Sequence, residues 1–309
     1  MTIKGLMHYL KNPKKWYAFF ASRGLLNKMS DERFLKIAFN ANLGKKLNLE
    51  DPKSFNEKLQ WIKIHDRKPL YTELVDKFEV RKHVAEVIGQ EHLISLVGGP
   101  WTTFDEIDFD KLPQQFVLKC THDSGGLVIC RDKAKLDKQK AREKIEKSLK
   151  TNYFWQSREW PYKNAKPRII AEQYMEDENE AKGLTDYKFF CFNSEPRMIY
   201  ISQGLEDHAT ASISFYDLNG EQMPFCRDDF KPIEGNIKLP CNFLEMTETA
   251  RRLAEKVDCP FVRIDLYSIR GKMYFSEVTF SPCGGMVPFN PATWDDELGK
   301  WIELPINKG

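Results

Sequence analysis

The chain has 309 residues, more than one small hydrophobic core usually organises, so two or three packed lobes are expected. A composition of 41% hydrophobic and 30% charged residues is that of an ordinary globular protein, neither disordered nor membrane-spanning. Lys+Arg 47 against Asp+Glu 45 leaves a formal charge of +2, without the basic excess of a dedicated nucleic-acid binder.

The first thirty residues carry Lys4, Lys11, Lys14, Lys15, Arg23 and Lys28 but no acid, interleaved with Trp16, Tyr17, Phe19 and Phe20. Such a stretch suits docking on an anionic membrane surface. It equally suits aromatics packed inward beneath a solvated basic face, and that second reading is preferred. Ser30-Asp31-Glu32 opens an amphipathic helix with Phe34, Leu35, Ile37 and Ala38. Ser54 followed by Glu57 forms a capping-box pattern ahead of Leu59, Trp61, Ile62 and Ile64, so residues 1–65 read as a helical N-terminal region. The apolar spacing from Tyr71 to Val87 predicts one more helix, stopping near Gly89. From His92 the texture changes to strands. They are expected over His92–Val97 (closed by Gly98-Gly99-Pro100), Gln115–Cys120, Leu127–Cys130, Arg168–Tyr174, Tyr187–Phe192, Arg197–Ser202 and Ser212–Tyr216. Helices are expected over Asp137–Lys150, Leu244–Val257 and Trp294–Ile302, with a hairpin over Phe261–Thr279. The class is α+β. Seven cysteines without a Cys-x-x-Cys pair suggest reduced thiols in the cytoplasm, and no run of about 18 apolar residues is present to span a bilayer.

Chemistry concentrates in four places. Along the 261–279 hairpin, side chains alternate, so Arg263, Asp265 and Tyr267 share one face opposite Val262, Ile264 and Leu266. After the Arg270-Gly271 turn, Met273, Phe275, Glu277 and Thr279 are expected to share a face in the same way, bringing Asp265 and Glu277 opposite or diagonal. Two carboxylates so close need a cation: a hard ion such as Mg²⁺, or an arginine in a surface salt-bridge ladder. In Phe116-Val-Leu-Lys119 an apolar strand delivers a lysine to the small-residue loop Ser124-Gly125-Gly126, which could cradle phosphate or simply turn a hairpin. Glu172-Gln173-Tyr174-Met175 ends another apolar strand. Lys188, inside the aromatic strand Asp186-Tyr-Lys-Phe-Phe190, requires an anionic partner or an open end.

In order and spacing these segments resemble the TupA-like family of the ATP-grasp superfamily, associated with bacterial surface-polysaccharide synthesis. The resemblance runs from Ser54-Phe-Asn-Glu-Lys58, through Val75-Asp-Lys-Phe-Glu-Val-Arg81 and Leu112-Pro113, to Trp294-Asp295. It implies two α/β lobes clasping a nucleotide behind the helical region, divided as an N-terminal lobe at 66–112 and ATP-grasp subdomains at 113–175 and 176–309. It implies Lys77 and Lys119 as phosphate lysines, Ser124, Gly125 and Gly126 as the loop over the phosphates, and Glu172, Gln173, Tyr174 and Met175 as the adenine hinge. Lys188 resembles the basic residue behind the nucleotide. Asp265, Glu277 and Thr279 resemble the Mg²⁺ ligands, Arg263 the arginine aimed at the acyl intermediate, and Ser281, Pro282, Gly284 and Gly285 the substrate loop. Two departures stand out: Thr279 replaces the usual Asn, and Asp123 replaces a glycine of the phosphate loop. The implied function is an ATP-dependent carboxylate–amine ligase with ATP and Mg²⁺, joining a saccharide or small-molecule carboxylate (by family analogy a uronic acid) to an amine or amino acid through an acyl phosphate, with no nucleic acid. Rivals are a sugar kinase on the same scaffold, a glycosyltransferase, and a non-catalytic nucleotide binder.

Overall fold

The computed structural model describes residues 17, 19–21, 23–177, 184–203, 211–235 and 237–306. Two antiparallel sheets form its frame. The four-stranded sheet runs β1 (Leu96–Trp101), β4 (Ile169–Gln173), β2 (Phe116–Cys120), β3 (Leu127–Cys130). The five-stranded sheet runs β10 (Lys272–Thr279), β9 (Phe261–Ile269), β5 (Asp186–Phe192), β6 (Glu195–Gln203), β7 (Ser212–Asp217). A two-stranded ribbon joins β8 (Cys226–Arg227) to β11 (Phe289–Asn290).

The helices, in chain order, are α1 (Asp31–Leu43), α2 (Phe55–His65), α3 (Pro69–Val75), α4 (Val80–Ile88), α5 (Lys138–Leu149), α6 (Phe154–Ser157), α7 (Phe243–Val257) and α8 (Thr293–Lys300). Period-two alternation sorts the large sheet's side chains. Tyr187, Phe189, Cys191, Val262, Ile264 and Leu266 pack with α3, α4 and α7 on one face. Phe190, Phe192 and Phe261 pack with Phe55, Phe215, Phe225, Phe289, α2 and α8 on the other. That second face is divided along its length. Aromatics fill one end, and Lys188, Asp265 and Arg263 occupy the other. The smaller sheet buries Phe116, Leu118, Ile169 and Ala171 against α5 and the 104–112 segment.

Several boundaries differ from expectation for identifiable reasons. The helix expected over 71–87 is two helices. Asp76 Oδ1 accepts from the N–H groups of Phe78 (2.8 Å) and Glu79 (3.1 Å) just ahead of α4, turning the chain at Lys77. The strand expected at His92–Val97 starts at Leu96, and Gly98-Gly99-Pro100 lies within it. β1 is an edge strand with irregular register, where proline's missing donor is tolerated. The capping box at Ser54 and Glu57 forms, whereas the Ser30 side chain makes no cap bond. Residues 66–112, expected as one lobe, give α3 and α4 to the large sheet and β1 to the small one.

At the N-terminal end, Tyr17 donates to Gln156 O at 3.0 Å and lies edge-on to Phe34, and Phe20 packs on the α1 cluster. Lys4, Lys11, Lys14, Lys15 and Trp16 lie outside the described residues.

Candidate functional site

The hairpin of β9 and β10 turns at Arg270 (φ 54°) and Gly271 (φ 76°), the two positive-φ positions of a tight two-residue loop. Its register sets Glu277 opposite Asp265 and Thr279 opposite Arg263. Simple alternation does not survive the strand. Ser276 is an extra residue between the Phe275–Leu266 and Glu277–Asp265 pairs. This bulge flips the pattern, so Met273 and Phe275 face the core with Val278 while Glu277 and Thr279 face the other way. The expectation that Met273, Phe275, Glu277 and Thr279 share one face is thereby corrected.

Across the three neighbouring strands Lys188, Asp265 and Glu277 form one row, because Lys188 pairs with Asp265 and Asp265 with Glu277. Asp265 is fully buried. Arg263 donates to both its oxygens at 2.6 Å, and Lys188 Nζ lies 2.9 Å from Oδ2. Arg263 Nη2 also reaches Glu277 Oε1 (2.8 Å) and Thr279 Oγ1 (3.0 Å). Lys188 thus has its anionic partners, the second being Asp186 at 3.0 Å. Although burial alone would lower them, the carboxylates of Asp265 and Asp186 or Glu277 hold Lys188 and Arg263 well above their ordinary values, so both stay protonated. Burial pushes the Glu277 carboxyl up. Arg263, Lys188 and Lys77 together outweigh it and hold the group down at about 2.

The small sheet supplies the facing wall. Asp76 Oδ2 accepts from Thr121 Oγ1 (3.0 Å) and Arg168 Nη2 (2.9 Å), which fixes the turn that presents Lys77. Lys77 Nζ donates to the Asp123 carbonyl. Lys119 Nζ pairs with Glu172 at 2.5 Å, and Arg81 adds a second, longer contact to that carboxylate at 3.4 Å. Glu172, expected in a hinge, is therefore an ion-pair partner, and the strand's exposed end begins at Gln173. The Asp123 carboxylate turns inward, accepting from the Gly126 N–H at 3.1 Å and from Ser148 Oγ, and so points away from the cleft mouth. Gly126 is required by close packing: a Cβ there would sit 2.4 Å from Ser148 Oγ and 2.6 Å from Cys120. Gly125 and Ser124 are exposed, with open space at Gly125.

One cleft of about 1770 Å³ between the sheets is lined by Lys77, Lys119, Ser124, Gly125, Gly126, Glu172, Gln173, Tyr174, Met175, Lys188 and Glu277. Asp265, Arg263 and Thr279 stand directly behind Glu277 and Lys188 through the bonds above. Ser281, Pro282, Gly284 and Gly285 lie on the far side of Arg263. There α2 holds the loop: Lys63 Nζ donates to Gly284 O (2.5 Å), Ser157 O (2.9 Å) and Gln60 Oε1 (2.9 Å), while Gln60 Nε2 donates to Gly285 O (2.7 Å). Burial draws Lys63 down to about 8, opposed by the buried carboxyl of Glu159, which burial raises.

Sequence reasoning passed over Asp186, although it precedes Lys188 by two on the same strand face. It also passed over Lys63, whose spacing from Leu59 and Ile62 places it on the helix's inward side. Asp76, Arg81 and Arg168 were visible only as parts of a motif.

A Mg²⁺ ion is implied by the family resemblance. Among the described residues no group of three or more His, Cys, Asp or Glu side chains is arranged to hold a metal. Asp265 was expected as a ligand, but its oxygens are engaged by Arg263 and Lys188. Glu277, with its side chain 37% exposed and bonded through Oε1 alone, fits a hard ion that arrives with phosphate oxygens to complete its shell; Thr279 Oγ1 would join it by giving up its bonds to Arg263 and Glu277.

Residues 57–303 match the family described as TupA-like ATPgrasp. Similar solved structures include the D-alanine–D-alanine ligase of Bacillus anthracis complexed with ATP, at 16% identity and TM-score 0.38, covering 67% of this chain and 55% of that one. The D-alanine–D-alanine ligase of Helicobacter pylori gives 12% and 0.43, covering 82% and 67%. The L-amino acid ligase of Bacillus licheniformis gives 13% and 0.37, covering 84% and 53%. The chain thus spans little more than half of the first and third. At such scores these likenesses add no argument to the family match. No curated protein matches the chain by sequence.

Proposed function

The chain belongs to the TupA-like ATP-grasp family, and from that premise we propose that it is an ATP-dependent carboxylate–amine ligase acting through an acyl phosphate. One observation carries the reading. Lys77, Lys119, Lys188 and Glu277, drawn from both sheets and separated by up to two hundred positions, line a single cleft.

A triphosphate lying in that cleft meets Lys77 from the turn between α3 and α4, Lys119 from the small sheet and Lys188 from the large one. Each lysine holds a protein oxygen to exchange for phosphate: the Asp123 carbonyl at Lys77, the Glu172 carboxylate at Lys119, and the carboxylates of Asp186 and Asp265 at Lys188. Backbone N–H groups at Ser124 and Gly125 are free of packing constraint and suit closure over the phosphates. Gln173, Tyr174 and Met175 offer an edge and a face for the base. Mg²⁺ held by Glu277 and Thr279 would supply neutralisation of the charge that passes to the departing ADP. The substrate carboxylate attacks the γ-phosphorus and ADP leaves; the amine then attacks the acyl carbon, and phosphate leaves with the bonding electrons. Protonated Arg263, fixed by Asp265 and Glu277, stabilises the oxyanion of that second step. Ser281, Pro282, Gly284 and Gly285 form the substrate loop.

The family's association with surface polysaccharides makes a uronic acid the proposed acyl donor and an amino acid the proposed amine. No helix among the described residues is long and apolar enough to cross a membrane. A cytoplasmic protein touching the inner membrane through its basic N-terminal residues fits this role.

The test is phosphate release by the purified full chain with Mg–ATP, a panel of uronic acids and pooled amino acids. Release stimulated only when both a carboxylate and an amine are present is the expected result. ADP formation with a stable sugar phosphoester, and no dependence on amine, would make the protein a kinase instead.

A further inference from the structure

Helix α2 meets the 280–285 loop through a single buried ammonium. Lys63 is 3% exposed, and Gln60, one turn earlier on the same helix face, is fully buried. All three Lys63 N–H donors have acceptors: Gly284 O (2.5 Å), Ser157 O (2.9 Å) and Gln60 Oε1 (2.9 Å). The last of these bonds orients the Gln60 amide, so that Nε2 faces the carbonyls of Gly285 (2.7 Å), Asn56 (3.1 Å) and Gly284 (3.3 Å). Lys63 does not line the nucleotide cleft.

The loop has the shape that this grip requires. Cys283, Gly284 and Gly285 are left-handed in succession, at φ 51°, 68° and 62°. A Cβ at Gly285 would lie 2.7 Å from Gln60 Nε2, and one at Gly284 would lie 3.0 Å from Ser157 Cβ. Where the loop begins, Arg263 holds Thr279 Oγ1, and the Phe280 ring packs on Tyr71 at 4.4 Å between centroids. Residues 281–283 therefore span two moorings, Arg263 at one end and Lys63 at the other. Fold stability alone is a weak account of the ammonium, because apolar side chains of similar volume often stabilise a core as well or better. An apolar side chain could not gather carbonyls from segments as distant in the chain as 157 and 284. The counter-charge sits apart from that grip: buried Glu159 accepts from Ser157 Oγ at 2.7 Å.

We propose that Lys63 is a positioning residue. With Gln60 it fixes the left-handed turn at 283–285, and so the stretch 281–283 beside Arg263 that meets the substrate. The ligase reading enters only in naming that stretch as the substrate's; the grip on the loop stands without it.

The experiment uses the full-length protein and three variants: Lys63→Met, Glu159→Gln and the double variant. Backbone hydrogen exchange, read by mass spectrometry without any ligand, compares peptides covering 281–287 with those covering 186–192. Lys63→Met should speed exchange in 281–287 by about tenfold or more, with 186–192 within about threefold of the unaltered protein. The double variant should do the same, and Glu159→Gln alone should not. A stranded Glu159 charge, by contrast, would be relieved in the double variant. Affinity for a fluorescent ATP analogue should stay within about threefold throughout. With D-glucuronate, pooled amino acids and Mg–ATP, Lys63→Met should raise KM for glucuronate about tenfold while kcat changes by less than about threefold. Unchanged exchange at 281–287, recovery in the double variant, exchange raised equally in both regions, or a loss confined to kcat would each overturn the proposal. Should Lys63→Met not fold, the double variant decides; failure of both to fold would make Lys63 a stability residue and overturn it as well. Absence of phosphate release from the unaltered protein with any acid of the panel would overturn the ligase reading instead, and leave the exchange measurement to decide the role of Lys63.

Discussion

Glu277 is the residue on which the charge of the site turns, since three cations converge on it. Replacing it with Gln removes a ligand-type oxygen and the anion that steadies Arg263. We expect kcat/KM for phosphate release to fall by about 10²-fold or more with the fold retained by circular dichroism. Lys119→Ala should act similarly, with the added mark that Glu172 loses its partner. The Glu277 carboxyl also sets an acid limit. Its value in the folded chain, about 2, lies below its ordinary 4.5, so the native state binds that proton less readily than the unfolded chain. The stability it contributes is complete above 4.5 and drains away as pH falls from there through about 2. Urea titrations across that window should show a shallower pH slope in Glu277→Gln than in the unaltered protein; equal slopes would contradict the assignment. Neighbouring glycines separate in the same manner. A Cβ at Gly126 meets Ser148 and Cys120, whereas one at Gly125 meets nothing within 4 Å. Gly126→Ala should therefore cost about 1–3 kcal/mol of stability and Gly125→Ala less than about 0.5. The text Ser-Gly-Gly does not reveal this division, because packing against α5 is a tertiary fact.

At the level of elements, the strands carrying charge were readable because period two is a strong signal. Arg263-x-Asp265 pointed correctly to one shared face, and Lys188 between aromatics to an anionic partner. What could not be read was the bulge at Ser276: nothing in Phe275-Ser-Glu277 marks an extra residue, and only the opposing strand exposes it. The broken helix at Asp76 has a similar origin, since the Asp side chain competes with the helix for backbone N–H groups. Helix α2 shows how a capping motif can also serve a distant loop. Asn56 N and Nδ2 both donate to Asp295 Oδ1 at 2.9 Å, and Nδ2 reaches Val287 O at 3.0 Å. Asp295→Ala leaves the buried Asn56 N–H without its acceptor and Nδ2 with Val287 O alone. It should lower stability by about 2–3 kcal/mol, and by loosening residues 284–287 it should raise KM for the carboxylate more than it lowers kcat. A change confined to kcat would argue against the loop's proposed role.

For the molecule as a whole, family resemblance brought together segments whose meeting no local pattern predicts: 77, 119–126, 172–175, 188 and 263–285. Composition gave only a globular protein, and the division of 66–112 between two sheets followed from packing that the chain order conceals. The joining of α2 to α8 has a temporal consequence. Lys58 Nζ bonds Gly299 O (2.9 Å) and Ile302 O (2.7 Å), and the Lys53–Phe55 backbone lies where a Cβ at Gly299 would be. During synthesis the early helix must wait, unclasped, until residues 293–302 have left the ribosome and this neighbour can arrive. Until then Asn56, which reaches Val287 O, lacks its Asp295 acceptor, so the support of the substrate loop is completed after the residues of the nucleotide cleft, which end at Glu277, are already made.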